Sequence, residues 1–310
     1  MTAPFIPFDE GQQGLDWIAL TEAIARGHEL PEAKVEDVFI RRGDDTLLNR
    51  SAWIDGMGVA VKACMVCPGN PSEGRPMVNG AVNLFDDATG ELSAILDFHL
   101  VTKWKTAGDS LLAALRLARP ESRKILIVGA GTVARSLIEA YSAGFPDASF
   151  LVWNRTVARA EELAAAFDHV SVAENLPGAV AAADIVSCAT MSSEPILKGE
   201  WLQPGQHVDL IGAFRADMRE ADDEAIRRGR LFVDARATTI GHIGEIAIPI
   251  AEGTITADDI LADFRNPSAF CRNSESEITI FKNGGGAHLD LMVSRYILEV
   301  WNARWSGGSS

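Results

Sequence analysis

An apolar strand that runs into a glycine-rich turn and then into a helix most constrains the fold of this chain. The strand is Lys124–Val128, and the turn has the spacing Gly-x-Gly-x-x-Ala. The first glycine permits a tight turn, the second allows a pyrophosphate to approach the backbone, and the alanine lets the helix lie against the strand. The N–H groups at the helix start then face an anion, although a helix start without a ligand is the alternative. The predicted dinucleotide contacts here are Gly129, Gly131, Thr132, Val133 and Ala134.

Hydrophobic patterning divides the chain into two predicted domains. Residues 119–284 alternate short apolar strands with helices, which predicts a doubly wound parallel sheet and an α/β fold class. Residues 1–118 carry strands joined by turn sequences and predict a smaller, mainly antiparallel α+β domain, with a helix from about Thr106 to Leu117 leading out of it. A long helix within residues 285–310 is expected to complete this first domain. The last five residues, Ser306–Ser310, are expected to be disordered.

Ligands of such sheets bind at the carboxyl ends of the strands, so the loops that follow these strands are candidate cofactor contacts. After the second strand of the nucleotide domain, Arg155 stands where NAD-specific proteins place an acid. A cation there suits a 2′-phosphate and favours NADPH, although Asn154 is also compatible with the ribose of NADH. The predicted contacts in these loops are Asn154, Arg155, Thr156, Arg159, Ala189, Thr190, Gly212 and Ala213.

Composition excludes several classes of partner. The 310 residues carry a net charge of −15, so nucleic acid is not expected to bind. The chain shows neither a secretory leader nor an apolar run of membrane-spanning length, so a soluble, cytoplasmic protein is expected. The Cys64 and Cys67 pair lies in a strand-like run without further ligands at suitable spacing, and no metal site is predicted.

Several motifs along most of the chain together resemble the ornithine cyclodeaminase/mu-crystallin family. They are Val61-Lys62, Pro68-Gly-Asn70, Thr89-Gly90, Lys105-Thr-Ala107, Val128–Ala134, Val152–Arg155, Ser187–Thr190, Glu194-Pro195, Pro204–Phe214, Arg219-Glu220 and Ile278–Leu291. The resemblance implies an NAD(P)-binding homodimer whose first domains join their sheets. It also implies hydride transfer at the α-carbon of an amino or imino acid.

The same resemblance implies roles for individual residues. Lys62 corresponds to the active-site lysine, with a surface position on an alternating strand as the alternative. Lys105 stands where the family usually has an arginine, so a substrate carboxylate would be held less directionally. Thr106, in the same motif, is assigned to the cofactor. The glycine run before the last helix suits a second anion contact, a hinge or a simple turn, and Gly285 within it is assigned to the substrate.

One departure from the family pattern bears on the reaction. Cyclodeaminases carry an aspartate after the turn that here reads Gly212-Ala213, but this chain has Phe214, which can neither accept a proton nor a hydrogen bond. Reduction of a C=N bond by NAD(P)H is therefore predicted. An ornithine cyclodeaminase and a non-catalytic, mu-crystallin-like binding protein are the alternatives.

Arg50 is a second departure, because many relatives have an uncharged residue there. A guanidinium near Lys62 and Lys105 could hold a second carboxylate, as iminosuccinate would require, although Arg50 could also be an exposed turn residue. The family arginine of the preceding strand has no clear counterpart; Lys34 and Arg41 are nearby. Two substrates are therefore considered: iminosuccinate, which gives aspartate, and Δ1-pyrroline-2-carboxylate, which gives proline.

Overall fold

The structure is a computed structural model that describes residues 3–306. In chain order, its strands and helices are β1 (Phe5–Ile6), α1 (Phe8–Gly11), α2 (Trp17–Glu29), β2 (Lys34–Arg42), β3 (Asp45–Ile54), β4 (Gly58–Val66), β5 (Val78–Phe85), β6 (Leu92–Asp97), α3 (Phe98–Leu117), β7 (Lys124–Val128), α4 (Thr132–Gly144), β8 (Ser149–Trp153), α5 (Val157–Ala164), β9 (Val170–Val172), α6 (Leu176–Ala182), β10 (Ile185–Cys188), β11 (His207–Leu210), α7 (Asp223–Arg228), β12 (Gly229–Val233), α8 (Arg236–Thr239), α9 (Gly244–Ala251), β13 (Ile260–Ala262), β14 (Ile278–Lys282) and α10 (Ala287–Ser306). Short 3₁₀ helices cover Asn70–Glu73, Gly199–Trp201 and Ala257–Asp259.

The first of two compact units contains the residues up to Lys105 and those from Gly286 onward. Its six-stranded sheet has the order β1-β6-β5-β4-β3-β2, and every pair except β1–β6 is antiparallel. Helix α10 packs against β3, β4, β5 and α2. The last helix thus belongs to the antiparallel unit, where it covers the middle of the sheet.

The second unit, residues 106–285, contains an eight-stranded parallel sheet in the order β13-β12-β14-β11-β10-β7-β8-β9. All four residues of β10 and of β11 are buried, as expected for strands of a parallel sheet that is covered on both faces. Strand order reverses beside β7, which has β10 on one side and β8 on the other. The α/β prediction with a parallel dinucleotide-type sheet and an antiparallel second sheet is confirmed.

Two element boundaries differ from the sequence-based expectation. Helix α3 begins at Phe98 rather than near residue 106, because the Asp97 side chain accepts hydrogen bonds from the N–H groups of His99 and Leu100 and caps the first turn. The division between the units falls inside this helix, after Lys105, whereas the sequence placed it after residue 118. The predicted disorder of the last five residues lies outside the described residues, apart from the backbone of Ser306.

Residues 3–306 contain neither a membrane-spanning helix nor a cluster of metal ligands. No helix there has both the length and the apolar character needed to cross a membrane. No group of three or more His, Cys, Asp or Glu side chains in this part of the chain could hold a metal ion.

Candidate active site

The glycine-rich turn after β7 has the geometry of a phosphate-binding turn. Gly129 has a φ of 116°, a value that favours glycine, and a Cβ there would lie 2.8 Å from the carbonyl oxygen of Ala189. A Cβ at Gly131 would meet no atom within 4 Å, so this position faces open space. Gly131 is also the N-cap of α4 and offers no side chain to its first N–H groups. The turn therefore leaves both room and hydrogen-bond donors for an anion.

A cavity of about 280 Å³ opens beside this turn. It brings together seven predicted cofactor residues, six from the loops after β7, β8 and β10 and one from α5: Gly129, Gly131, Asn154, Arg155, Arg159, Ala189 and Thr190. Ala130, Trp153, Met191, Ser192 and Ile196 complete the described lining, which includes no acidic side chain. Arg155 and Arg159 are exposed at its rim. The donor groups and the two cations suit a dinucleotide.

The other predicted cofactor residues lie outside this cavity lining. Thr132, Val133 and Ala134 form the first turn of α4, where Ala134 is buried against the sheet, and Thr156 is the N-cap of α5. Gly212 and Ala213 follow β11, and Thr106 lies in α3, where its carbonyl accepts a hydrogen bond from Asn283. Their contacts with a cofactor remain predictions.

Gly285, which the sequence analysis assigned to the substrate, donates its N–H group to a side chain of the protein. Its N–H donates to Asp234 at 2.5 Å, and the N–H of Gly284 donates to the same carboxylate oxygen at 3.0 Å. Its φ of 69° is a turn conformation that glycine adopts readily. A contact between Gly285 and a substrate would therefore have to use its carbonyl oxygen.

In the antiparallel unit, three charged side chains lie in one row across neighbouring strands. Asp37 on β2 is the register partner of Arg50 on β3, which is in turn the partner of Lys62 on β4. Arg50 donates three hydrogen bonds to Asp37, from Nε and from Nη2, at 2.7–3.1 Å. Arg50 is thus a mid-strand residue in an ion pair, and its interpretation as a turn residue is wrong.

Lys62 is buried and does not occupy a surface position. Its Nζ donates to Asp290 Oδ1 at 3.0 Å and to Thr102 Oγ1 at 3.2 Å, and it lies 4.7 Å from the centre of the Phe98 ring. The side chains of Lys62 and Asp290 are 10% and 1% exposed, so the ion pair is largely shielded from water. Lys105 is buried as well.

Asp290 and His288 on α10 are candidate site residues that sequence reasoning missed. Burial alone would raise the pKa of Asp290, but the charges of Lys62 and Lys105 lower it below its ordinary value, and Asp290 stays ionised. Burial also lowers the pKa of His288 to about 3, so its imidazole is neutral near pH 7. Both residues lie in the Ile278–Leu291 motif, but nothing local to that motif reveals the partner of Asp290 on β4.

The structure also shows the surroundings of Lys34, Arg41 and Phe214. Lys34 and Arg41 pair with Trp53 and Thr46, so neither stands in the row of Arg50 and Lys62. Phe214 is 57% exposed, and the neighbouring Arg215 is paired with Asp217. The apolar side chain at position 214 is therefore exposed to solvent and is not required for packing.

Comparison with known proteins agrees with this geometry. The sequence model of the ornithine cyclodeaminase/mu-crystallin family matches residues 40–304. A Δ1-pyrroline-2-carboxylate reductase of Paracoccus denitrificans (strain Pd 1222) is 50% identical over 304 residues, which cover 96% of each chain. The structure of Thermococcus litoralis Δ1-pyrroline-2-carboxylate reductase in complex with NADH and L-proline has a TM-score of 0.89 at 26% identity and covers 97% of this chain and 98% of that one. An archaeal alanine dehydrogenase dimer with bound NAD also has a TM-score of 0.89, at 25% identity over 98% of this chain and 97% of that one. The family resemblance is thereby confirmed, and this chain belongs to the ornithine cyclodeaminase/mu-crystallin family.

Proposed function

We propose that this protein is an NAD(P)H-dependent imine reductase that converts Δ1-pyrroline-2-carboxylate to proline by hydride transfer to the α-carbon. The observation that carries the proposal is the buried Lys62–Asp290 ion pair, which holds an ammonium group beside Arg50 on the antiparallel sheet. The 50% identical reductase of Paracoccus denitrificans supports the same reaction.

The reaction needs a hydride at carbon, a proton at nitrogen and a cation for the carboxylate. When bound, the reduced nicotinamide supplies the hydride. The Lys62 ammonium is held in place by Asp290 and Thr102 and is the group that we assign to the substrate nitrogen as hydrogen-bond and proton donor. Lys105 is assigned to the carboxylate. Each residue then acts on a different atom of one small imino acid.

The charge balance of this cluster favours a substrate with one carboxylate. Arg50, Lys62 and Lys105 supply three cations, and Asp37 and Asp290 supply two carboxylates. Asp37 already pairs with Arg50, so Arg50 is not left to bind a second substrate carboxylate, as iminosuccinate would require.

The direct test is a spectrophotometric assay of NADH and NADPH oxidation. Addition of Δ1-pyrroline-2-carboxylate is expected to start cofactor oxidation and to yield proline. Ornithine is expected to release no ammonia, because Phe214 offers no base. Ammonia release would favour a cyclodeaminase, and cofactor binding without oxidation would favour a binding protein.

We further propose that NADPH is the preferred cofactor, because Arg155 and Arg159 line the cavity after β8. Arg155→Asp is expected to raise the KM for NADPH by at least tenfold more than the KM for NADH, since attraction to the 2′-phosphate becomes repulsion. Arg123→Asp, at the amino end of β7, is the control for net charge and is expected to change neither value. Equal effects of Arg155→Asp on both cofactors would contradict the NADPH preference.

Two substitutions test the proposed substrate. Because Asp37 already balances the charge of Arg50, Arg50→Met is expected to leave the ratio of kcat/KM for iminosuccinate and for Δ1-pyrroline-2-carboxylate within about threefold. Asp37→Asn releases the guanidinium and is expected to move this ratio toward iminosuccinate by at least about tenfold, since a charge-assisted hydrogen bond contributes ~1.5–3 kcal/mol. A tenfold loss of the ratio in Arg50→Met would instead assign Arg50 to a second carboxylate.

We also propose a homodimer formed through β2. All nine residues of this edge strand are exposed, and Val38, Phe39 and Ile40 are each more than half exposed. An edge strand with exposed apolar side chains is a surface that another sheet can extend. Light scattering is expected to give a dimer for the native protein and a monomer for Val38→Lys/Ile40→Lys. A double variant that stays dimeric would place the interface elsewhere.

A further inference from the structure

A fully buried carboxylate joins two of the predicted cofactor loops in the parallel-sheet unit. Oε1 of Glu220 accepts hydrogen bonds from the backbone N–H and the hydroxyl of Thr190, both at 2.7 Å. Oε2 accepts from the backbone N–H of Gly212 at 2.6 Å. Thr190 follows β10 and Gly212 follows β11, so one side chain fixes both loops.

The two loops are also in direct backbone contact. A Cβ at Gly212 would overlap the carbonyl oxygen and the backbone nitrogen of Thr190. The loops therefore cannot approach more closely, and Glu220 prevents them from separating. Backbone contact therefore sets the minimum distance between the two loops, and the hydrogen bonds of Glu220 set the maximum distance.

Glu220 is itself held in place by a second acid. The N–H groups of Glu220 and Ala221 donate to Glu245 on α9 at 2.7 and 3.0 Å. Burial and the charge of Glu245 raise the pKa of Glu220, while the cation of Lys282 and the hydrogen bonds from Thr190 oppose this rise and favour the carboxylate. The buried Nζ of Lys282 donates to the carbonyl of Leu210, at the end of β11. Burying two carboxyl groups close together costs free energy, so this arrangement indicates that Glu220 has a functional role in addition to packing.

The position of the two loops in the sheet indicates which part of a cofactor they would serve. The cavity residues Asn154 and Arg155 follow β8, on one side of β7, whereas β10 and β11 lie on its other side. In doubly wound sheets, the two halves of a dinucleotide bind on opposite sides of this switch point. The loop after β11 therefore serves the half that carries the nicotinamide, and the loop after β10, whose Ala189 and Thr190 also line the cavity, borders both halves.

We propose that Glu220 is a positioning residue that holds the loops after β10 and β11 at the spacing required by the nicotinamide half of the cofactor. The proposal rests on the proposed function, since it assumes that the protein binds NADH or NADPH. Glu220 acts through the backbone of Thr190 and Gly212 and has no contact with the reacting atoms in this assignment.

The test compares the binding of NADH with that of ADP-ribose, which lacks the nicotinamide. In Glu220→Gln, an amide NH₂ must face either the Gly212 N–H or the Thr190 donors, so one loop loses its acceptor. The Kd for NADH is expected to rise at least tenfold, and the Kd for ADP-ribose is expected to stay within twofold. Glu224→Gln on α7, a half-exposed glutamate, is the matched control and is expected to change neither.

Glu220→Asp is the second variant, because it keeps the charge but is too short to reach both loops. It is expected to show the same selective loss, and its binding of ADP-ribose reports that the unit is folded. Equal rises of both Kd values, or an unchanged Kd for NADH in either variant, would overturn the assignment of Glu220. Failure of the unsubstituted protein to bind NADH would overturn the proposed function and the inference with it.

Discussion

Replacing Lys62 by methionine is expected to lower kcat for imine reduction by roughly 10²–10⁴-fold, the usual contribution of a positioned proton donor. Methionine keeps the length of the side chain but removes the ammonium group that Asp290 and Thr102 hold. The Kd for NADH is expected to change little, because Lys62 belongs to the antiparallel unit and the glycine-rich turn belongs to the parallel-sheet unit. Steady-state kinetics and direct cofactor titration measure the two effects separately.

The same substitution is also expected to destabilise the fold. Asp290 is 1% exposed, and removing one partner of a buried ion pair costs about 3–5 kcal/mol. The double variant Lys62→Met/Asp290→Asn removes both charges and is expected to recover part of that stability without recovering turnover. Chemical denaturation measures the recovery. A double variant with near-native turnover would show that Lys62 has only a structural role.

Gly131→Leu is expected to raise the Kd for NADH and NADPH by at least about 100-fold, since the new side chain would fill the space in which a pyrophosphate meets the backbone N–H groups. The fold should tolerate the change, because a Cβ at this position meets no atom within 4 Å and φ is −94°. Isothermal titration of the cofactor, combined with thermal melting, distinguishes lost binding from lost structure.

Gly69→Leu is a matched control for this substitution. Gly69 also has a negative φ, −76°, and open space where a Cβ would lie, but it belongs to a turn of the other unit. It is expected to leave the Kd unchanged. Retained cofactor affinity in a folded Gly131→Leu protein would show that the turn after β7 binds no pyrophosphate.

Local pattern was sufficient for the glycine-rich turn and for the parallel sheet around it. The turn needs only a buried strand, two glycines and an amphipathic helix in sequence order, and all of these are visible between Lys124 and Gly144. The start of α3 could not be predicted from the sequence. The residues from Phe98 onward are as compatible with a strand as with a helix. The one local signal for a helix start is the capping side chain of Asp97.

The partners of the site residues could not be predicted for a different reason. Asp290 is 228 positions from Lys62, and Glu220 is 30 positions from Thr190. Hydrophobic periodicity places a residue on a face of its own helix or strand but does not say which distant side chain it meets. Lys62 and Arg50 could be selected from the sequence because each is a charged residue in a strand. Their acidic partners, Asp290 and Asp37, could be identified only from the packing of α10 and the register of the sheet.

The order of the elements along the chain has a consequence for synthesis on the ribosome. The parallel-sheet unit is an insertion between residue 105 and the closing helix of the antiparallel unit, and β14, the last strand of the chain, lies between β11 and β12. A nascent chain that ends before Ile278 therefore leaves a gap inside its larger sheet, and one that ends before Asp290 leaves Lys62 without its counter-ion. The larger sheet can be completed only after β14 has emerged, and the antiparallel unit only after α10 has emerged, so protection by chaperones is expected to be needed until late in synthesis.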